Sequence, residues 1–125
     1  MDLVQVYECL CDPTRLRIIH LIMNSGPLCV CHIQDILQEP QVKISRHLLY
    51  LRRREMLEVR QEGNWRYYSL PNCCTKELDL NLRCLQDCTL DHPLFKRDRE
   101  RLNNFYRDRK EPMPQCGNPL SISNP

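Results

Sequence analysis

The stretch QVKISRHLLYLRRREM, residues 41–56, decides the fold. Ile44, Leu48 and Leu51 recur at intervals of three or four residues, which places them on one face of an α-helix. The remaining face carries basic and polar side chains, namely Lys43, Ser45, Arg46, His47 and Tyr50. The stretch therefore predicts an amphipathic helix with an apolar inner face and a basic outer face.

A second helical pattern comes immediately before this one. In HIQDILQE, residues 32–39, the apolar residues Ile33, Ile36 and Leu37 repeat at helical spacing, and Pro40 ends the pattern. Two short helices joined by a tight turn, the second with a basic outer face, are what a helix-turn-helix requires.

The period of the sequence changes from 3.6 to 2 after the basic helix. LEVRQ, residues 57–61, and WRYYSL, residues 65–70, both alternate, and Glu62-Gly63-Asn64 between them is typical of a turn. These segments predict a β-hairpin directly after the basic helix. In a winged helix-turn-helix, the hairpin at this position is the wing.

The rest of the chain predicts further helices around this unit. One helix spans Leu3 to Leu10, and a second begins after the capping pair Asp12-Pro13 and ends before Asn24 to Pro27. A last core helix, from about Cys74 to Cys88, has an apolar stripe that we expect to pack on its copy in a dimer. The predicted fold is mainly α with a small β-hairpin, a homodimeric winged helix-turn-helix.

The expected domain limits follow from a change in composition. Residues 1–90 form the predicted DNA-binding and dimerisation domain, and residues 91–125 form a charged C-terminal extension. Within the extension we expect a solvent-exposed helix over 94–109, followed by a disordered, proline-containing tail.

Charge and cysteine content limit the function. The formal net charge is only +2, but basic side chains exceed acidic ones between residues 41 and 69, which suits a polyanionic partner such as double-stranded DNA. No apolar run is long enough to cross a membrane and the N-terminus lacks a signal-peptide pattern, so we expect a soluble cytoplasmic protein without a membrane partner. Nine cysteines in a reducing compartment indicate free thiols that bind soft metals, sense redox state or fill the core.

The pair Cys29 and Cys31, in GPLCVCHI at 26–33, is the first candidate for a metal site. Residues two apart point to nearly opposite sides of a helix but share a face in an extended chain. Ion binding is therefore expected to favour an unwound first turn of the helix that follows, and so to lower DNA affinity. Weaker candidates for a third ligand are Cys9, Cys11, Cys84 and Cys88, while no role is assigned to Cys73, Cys74 and Cys116.

Four segments in this order resemble the ArsR/SmtB family of winged-helix metalloregulatory repressors, and within it the arsenic repressors. They are DPTRLRII at 12–19, LCVC at 28–31, VKISRHLLYLRR at 42–53 and GNWRYYSL at 63–70. The resemblance implies a homodimeric repressor that binds an imperfect palindrome in its own promoter and leaves it when As(III) or Sb(III) binds. The effector ion is not a resident cofactor.

The arsenic branch implies three thiols, of which this sequence matches two. Cys29 and Cys31 occupy the first two positions, and Gln34 stands at the third. His32 also stands where the branch usually has Asp, and Pro27 where it has Glu. The identity of the third ligand is therefore open.

The expected DNA-binding residues lie on the basic helix and the wing, because Arg, Lys, His, Ser and Gln side chains bond base edges and phosphates. They are Gln41, Lys43, Ser45, Arg46, His47, Arg66 and Tyr67.

Three alternative functions stay open from the sequence. A repressor responding to cadmium, lead or zinc would use additional cysteines, and a regulator of the same fold could sense thiol oxidation or persulfides. A thiol oxidoreductase is the least unsuitable enzyme, but the chain lacks a glycine-rich phosphate loop, a Ser/His/Asp signature and a Cys-x-x-Cys motif after a strand. We therefore expect no enzyme and no catalytic residue.

Overall fold

The computed structural model describes residues 2–109. The helices are α1 Leu3–Leu10, α2 Pro13–Ser25, α3 Val30–Leu37, α4 Gln41–Arg53, α5 Lys76–Cys88 and α6 Pro93–Arg109, and the strands are β1 Leu28–Cys29, β2 Glu58–Glu62 and β3 Trp65–Ser69. The predicted winged helix-turn-helix, mainly α with a small β component, is confirmed. The predicted disordered tail lies outside the described residues. No helix within the described range is long and apolar enough to cross a bilayer.

Local capping chemistry sets where the helices begin. Asp12 accepts hydrogen bonds from the backbone N–H groups of Thr14 and Arg15 at 2.8 and 3.1 Å, and Pro13 occupies the first turn of α2. Thr75 caps α5 in the same way, through a 3.3 Å bond from the N–H of Leu78. The predicted start of α5 near Cys74 is thus displaced to the residue after this cap.

The helix-turn-helix consists of α3 and α4, with α2 packed against both. Ile44, Leu48 and Leu51 of α4 are all buried, as their spacing predicts. The turn is made by Gln38, whose φ of 61° and ψ of 47° lie in the left-handed region and end α3. The recognition helix α4 is therefore fixed to the core along its apolar stripe, and its other face is left accessible.

The sheet has three strands rather than the two of the predicted hairpin. Its order is β1-β3-β2, all antiparallel, with Leu28 opposite Tyr68 and Cys29 opposite Tyr67. The two-residue strand β1 is too short to show alternation, so the sequence pattern missed it. The pairing of β1 with β3 holds Cys29, a candidate metal ligand, in extended backbone beside the wing.

The helix α6 corrects the expectation of a solvent-exposed helix over 94–109. It packs on α2 and α3, and it buries Phe95, Leu102 and Phe105. The same face buries the carboxylate of Asp98, which is fully enclosed and paired with Arg17. The apolar stripe is not evident in the sequence because Asp98 stands at one of its buried positions. The partner of Asp98, Arg17, lies on the distant helix α2.

A second polar contact fixes α6 to α2. Arg99 donates to Nε2 of His20 at 3.1 Å and also to the backbone oxygens of Thr89 and Leu90. Burial, reinforced by the neighbouring Arg99 cation, lowers the pKa of His20 to about 4. At neutral pH the imidazole is therefore uncharged and can accept the hydrogen bond from Arg99.

Candidate metal-binding and DNA-binding sites

The thiols of Cys29 and Cys31 converge at the junction of β1 and α3. Cys29 is the last residue of β1 and has extended backbone, with φ of −92° and ψ of 166°, whereas Cys31 lies in the first turn of α3. Their Sγ atoms are 3.1 Å apart. The junction therefore brings two donors together while the first turn of α3 is helical. The expectation that ion binding favours an unwound first turn stays a prediction.

His32 brings a third donor to the same place. The ligand atoms of Cys29, Cys31 and His32 all lie within 4.8 Å of one another, and among the described residues this is the group of three or more such side chains that could hold a metal ion. The sequence motifs assign no ligand role to His32, and its position directly after Cys31 is the signal that could have found it. Two thiols and an imidazole form a donor set suited to soft or borderline metals.

The two thiols differ in their surroundings. Cys29 is buried and Cys31 is exposed. Burial first, and then the hydrogen bond with the thiol of Cys31, raises the pKa of Cys29 to about 12. Cys29 is therefore a protonated thiol at neutral pH, and an ion that binds it has to release the proton.

Aromatic side chains surround the site on two sides. The ring of His32 lies 5.0 Å from that of Phe105 in α6, edge to face, and 6.5 Å from that of Trp65 at the start of β3, stacked. Tyr67 of β3 is buried in a small cluster with Cys29. The candidate site thus contacts both the wing and the C-terminal helix.

The weaker cysteine candidates lie outside this group. Cys9 is buried in the main core, and Cys11 is an exposed residue at the end of α1. Cys84 and Cys88 lie on α5 with their Sγ atoms 3.7 Å apart. Both are exposed, and neither belongs to the group of three donors that contains Cys29 and Cys31. Cys73 and Cys74 are exposed after the wing. Cys116 lies outside the described residues.

The predicted DNA-binding residues fall into exposed and inward-facing groups. Gln41, Arg46 and Arg66 are exposed, and Ser45 is half-buried. Lys43 is half-buried and forms an ion pair with Glu39 at 3.0 Å. Gln41, Lys43, Ser45 and Arg46 lie on α4, whereas Arg66 extends the basic surface onto β3 of the wing.

His47, Tyr50 and Tyr67 make contacts within the protein. Nδ1 of His47 accepts from Arg15 at 3.3 Å, and its Nε2 lies 3.9 Å from Asp12, so the ring faces the start of α2. Tyr67 is only 5% exposed and lies opposite Cys29 of β1, which argues against its assignment to the DNA-contacting set. Tyr50 is half-buried beneath the guanidinium groups of Arg15 and Arg54, whose carbons lie 3.9 and 3.5 Å from its ring centre.

A helix-turn-helix with a basic second helix and an adjoining hairpin defines a winged-helix DNA-binding regulator, and here a candidate metal site lies at the start of its first helix. Residues 12–59 match the family described as "Bacterial regulatory protein, arsR family". The chain is also 40% identical over 88 residues to the arsenical resistance operon repressor of Escherichia coli strain K12, which covers 67% of this chain and 75% of that protein. The chain therefore belongs to the ArsR family of transcriptional repressors, and its predicted resemblance to arsenic repressors is confirmed.

Two further similarities are informative about effectors. The chain is 35% identical over 78 residues to a homolog of the cadmium resistance transcriptional regulatory protein CadC of Staphylococcus aureus, covering 62% of this chain and 64% of that protein. It superposes on the crystal structure of the AntR antimony-specific transcriptional repressor with a TM-score of 0.55 and 28% identity, over 68% of this chain and 78% of that chain. Similar proteins in this family are thus named for different soft metals and metalloids.

Proposed function

We propose that this protein represses an arsenic-resistance operon and leaves its double-stranded operator DNA when trivalent arsenic or antimony binds Cys29 and Cys31. The observation that carries the proposal is the 3.1 Å approach of the two Sγ atoms at the start of α3. Thiolates select soft ions over hard ones such as magnesium, and two converging thiols supply most of a pyramidal three-ligand site. A repressor acts on operator DNA, so the proposed location is the cytoplasm.

His32 is the proposed third ligand, because Gln34 stands at the position where the arsenic branch has its third cysteine. Its imidazole completes a group whose donor atoms lie within 4.8 Å, whereas Cys9 is enclosed in the main core. Cys84 and Cys88 lie on another helix, α5. This grouping supports a site of two sulfurs and one nitrogen that needs no large movement of the chain.

A cadmium, lead or zinc response is the second candidate, and His32 is the observation that favours it. Imidazole together with thiolate is a common donor set for zinc-like ions, which take four ligands in a tetrahedron. The similarity to the cadmium regulator of S. aureus points the same way. A redox response through a direct disulfide receives less support, because a disulfide between residues two apart closes a small, strained ring.

Release from DNA requires the ion to prefer the DNA-free arrangement. The sensor residues lie at the start of α3, and α3 packs directly against the recognition helix α4. An ion that draws Cys29, Cys31 and His32 together changes the seating of α3 between the sheet and α4. Such coupling between two sites amounts to about 1–3 kcal/mol in typical cases.

The proposed homodimer uses the outer face of α1 and α5. Leu3, Val4 and Tyr7 of α1 are exposed, as is Leu80 of α5, and the two helices contact each other. Exposed apolar side chains on two neighbouring helices are typical of a protein interface, and a two-fold dimer presents two recognition helices to a palindrome. Exposed apolar side chains of this kind would be covered in such a dimer.

Direct measurement of ion binding and DNA release tests the proposed function. Arsenite added to the full-length protein should produce the near-ultraviolet absorption of thiolate–arsenic bonds and quench Trp65, whose ring stacks on His32. The same arsenite should release a labelled duplex that covers the promoter of its own gene. Release by cadmium or zinc with no response to arsenite would favour the second candidate instead.

Arg46 is expected to contribute strongly to operator binding. It is exposed on the recognition helix, and an Arg at this position can bond a guanine edge or a phosphate. Arg46→Ala should weaken operator binding by about 1–3 kcal/mol if the side chain reads a base. Fluorescence anisotropy with operator and scrambled duplexes measures this, and Arg97→Ala, an exposed change on α6, is the matched control. Equal operator affinity of the Arg46 variant and the wild type would contradict the assignment.

A further inference from the structure

The helix α6 contacts both the candidate metal site and the part of the chain that supports the recognition helix. Leu102 and Phe105 of α6 belong to the main hydrophobic core, and the helix packs on α2 and α3. Helix α3 begins at the candidate metal site and ends at the turn before the recognition helix α4. Helix α6 therefore lies beside both the metal site and the support of the recognition helix. One end of α6 meets each of them, as the following contacts show.

At the sensor end, α6 meets the metal site through an aromatic contact. The ring of Phe105 lies 5.0 Å from that of His32, at an angle of 61°. His32 is also one of the three donors that lie within 4.8 Å of one another. An ion that takes His32 as a ligand fixes the orientation of the imidazole, and therefore acts on the same ring that Phe105 contacts.

At the DNA end, α6 reaches the recognition helix through buried charges. The fully enclosed carboxylate of Asp98 accepts two hydrogen bonds from Arg17, at 2.9 and 3.0 Å. The same guanidinium donates to the backbone oxygen of Leu37 at 3.0 Å and to Glu39 at 3.2 Å. Leu37 ends α3, and Glu39 lies in the turn before α4.

The chain of contacts continues into α4 itself. Glu39 bridges Arg17 to Lys43 of the recognition helix, with Lys43 at 3.0 Å from its other carboxylate oxygen. Arg17 is 7% exposed, and a guanidinium is a planar fork whose donors have fixed relative directions. A displacement of Asp98 therefore changes the direction of the bonds that Arg17 makes to the turn between α3 and α4.

We propose that α6 couples ion binding to the position of the recognition helix, with Asp98 and Arg17 as positioning residues for DNA binding. In the ion-free protein α6 is seated on α3, and Arg17 holds the α3–α4 turn in the DNA-binding arrangement. An ion that captures His32 reorients the imidazole against the Phe105 ring, and the resulting shift of α6 loosens Arg17 from Glu39. This inference rests on the proposed function, because it assigns the path by which the same site acts on DNA.

Two substitutions in α6 separate the ends of this path. Phe105→Leu keeps an apolar side chain but removes the aromatic contact, so operator affinity without ion should stay within about threefold while the arsenite-induced loss of affinity shrinks about tenfold. Asp98→Asn removes the charge that orients Arg17, so operator affinity without ion should fall about tenfold, and arsenite should then weaken it little further. Because both changes act on one path, their effects on release should not add in the double variant.

The experiment uses the full-length chain and a labelled duplex that covers the promoter of its own gene. Anisotropy with and without arsenite gives the release factor, thiolate–arsenic absorption reports ion binding independently, and thermal unfolding reports folding. Glu100→Gln, an exposed change on the same helix, is the matched control and should release like the wild type. If Asp98→Asn does not fold, Phe105→Leu alone still decides the question.

Three outcomes are distinguishable. A reduced release factor in Phe105→Leu with normal ion binding supports the coupling role of α6. Normal ion binding and an unchanged release factor in the folded α6 variants would overturn this inference while leaving the proposed function intact. A wild-type protein with no thiolate–arsenic absorption and no release would overturn the proposed function, and the inference with it.

Discussion

Cys29→Ser should bind operator DNA like the wild type and fail to leave it when arsenite is added. The side chain supplies one of two thiols whose sulfur atoms are 3.1 Å apart, and a serine hydroxyl is a hard, neutral donor that a soft ion does not prefer. If the wild type shows a typical coupling of about 1–3 kcal/mol, its affinity falls about 5- to 150-fold with arsenite. The variant should show a ratio near one, and Cys31→Ser should behave in the same way.

Stability and a matched cysteine control complete this experiment. Cys29 is 3% exposed, so a serine there buries a hydroxyl and is expected to lower the free energy of unfolding by about 1–3 kcal/mol, whereas Cys31 is exposed and its substitution should cost little. Thermal unfolding shows whether each variant is folded at the assay temperature. Cys88→Ser removes an exposed thiol of α5 and should release normally. Normal release by both Cys29→Ser and Cys31→Ser would refute the assigned site.

His32→Ala in the same assay identifies the third ligand. The imidazole belongs to the group of donors within 4.8 Å, so its loss should weaken ion binding while the two-thiol absorption remains. The comparison with Cys29→Ser then ranks the three donors. This result would also decide whether His32 replaces the third thiol ligand, at whose position this chain has Gln34.

Sequence patterns predicted the elements whose apolar spacing is regular. The stripe of Ile44, Leu48 and Leu51 and the capping pair Asp12-Pro13 are local signals, and both have the predicted structure. Family motifs around them led to the correct family. The features that could be predicted from the sequence are therefore those that depend on short-range patterns within one segment.

The features that the sequence missed depend on partners far away in the chain. The strand β1 has only two residues, and it is defined by its pairing with Tyr67 and Tyr68 of β3. Asp98 resembles a solvent-exposed residue until Arg17 is placed beside it, 81 positions earlier in the chain. The burial of Tyr67 was missed for a related reason, because its pairing with Cys29 of β1 cannot be seen in the local sequence pattern.

Arg17→Met should cause the largest loss of stability among the substitutions considered. Asp98 is fully enclosed, and the substitution removes both of its hydrogen bonds from Arg17 while leaving the carboxylate in place. Removing one partner of a buried ion pair typically costs about 3–5 kcal/mol because the remaining charge is uncompensated. Chemical denaturation at a fixed protein concentration measures the free energy of unfolding, and the fixed concentration matters because dimer formation adds to stability.

Two further variants show that the loss comes from the unpaired charge. Lys43→Met breaks the ion pair with Glu39, whose partners are 40% and 23% exposed, so it should change the free energy of unfolding by at most about 1 kcal/mol. The double variant Arg17→Met with Asp98→Leu removes both buried charges, and apolar replacement of a whole buried pair is often neutral or stabilising. It should therefore recover most of the stability lost in Arg17→Met. A single variant that loses less than about 1 kcal/mol would show that the pair does not hold α6 to α2.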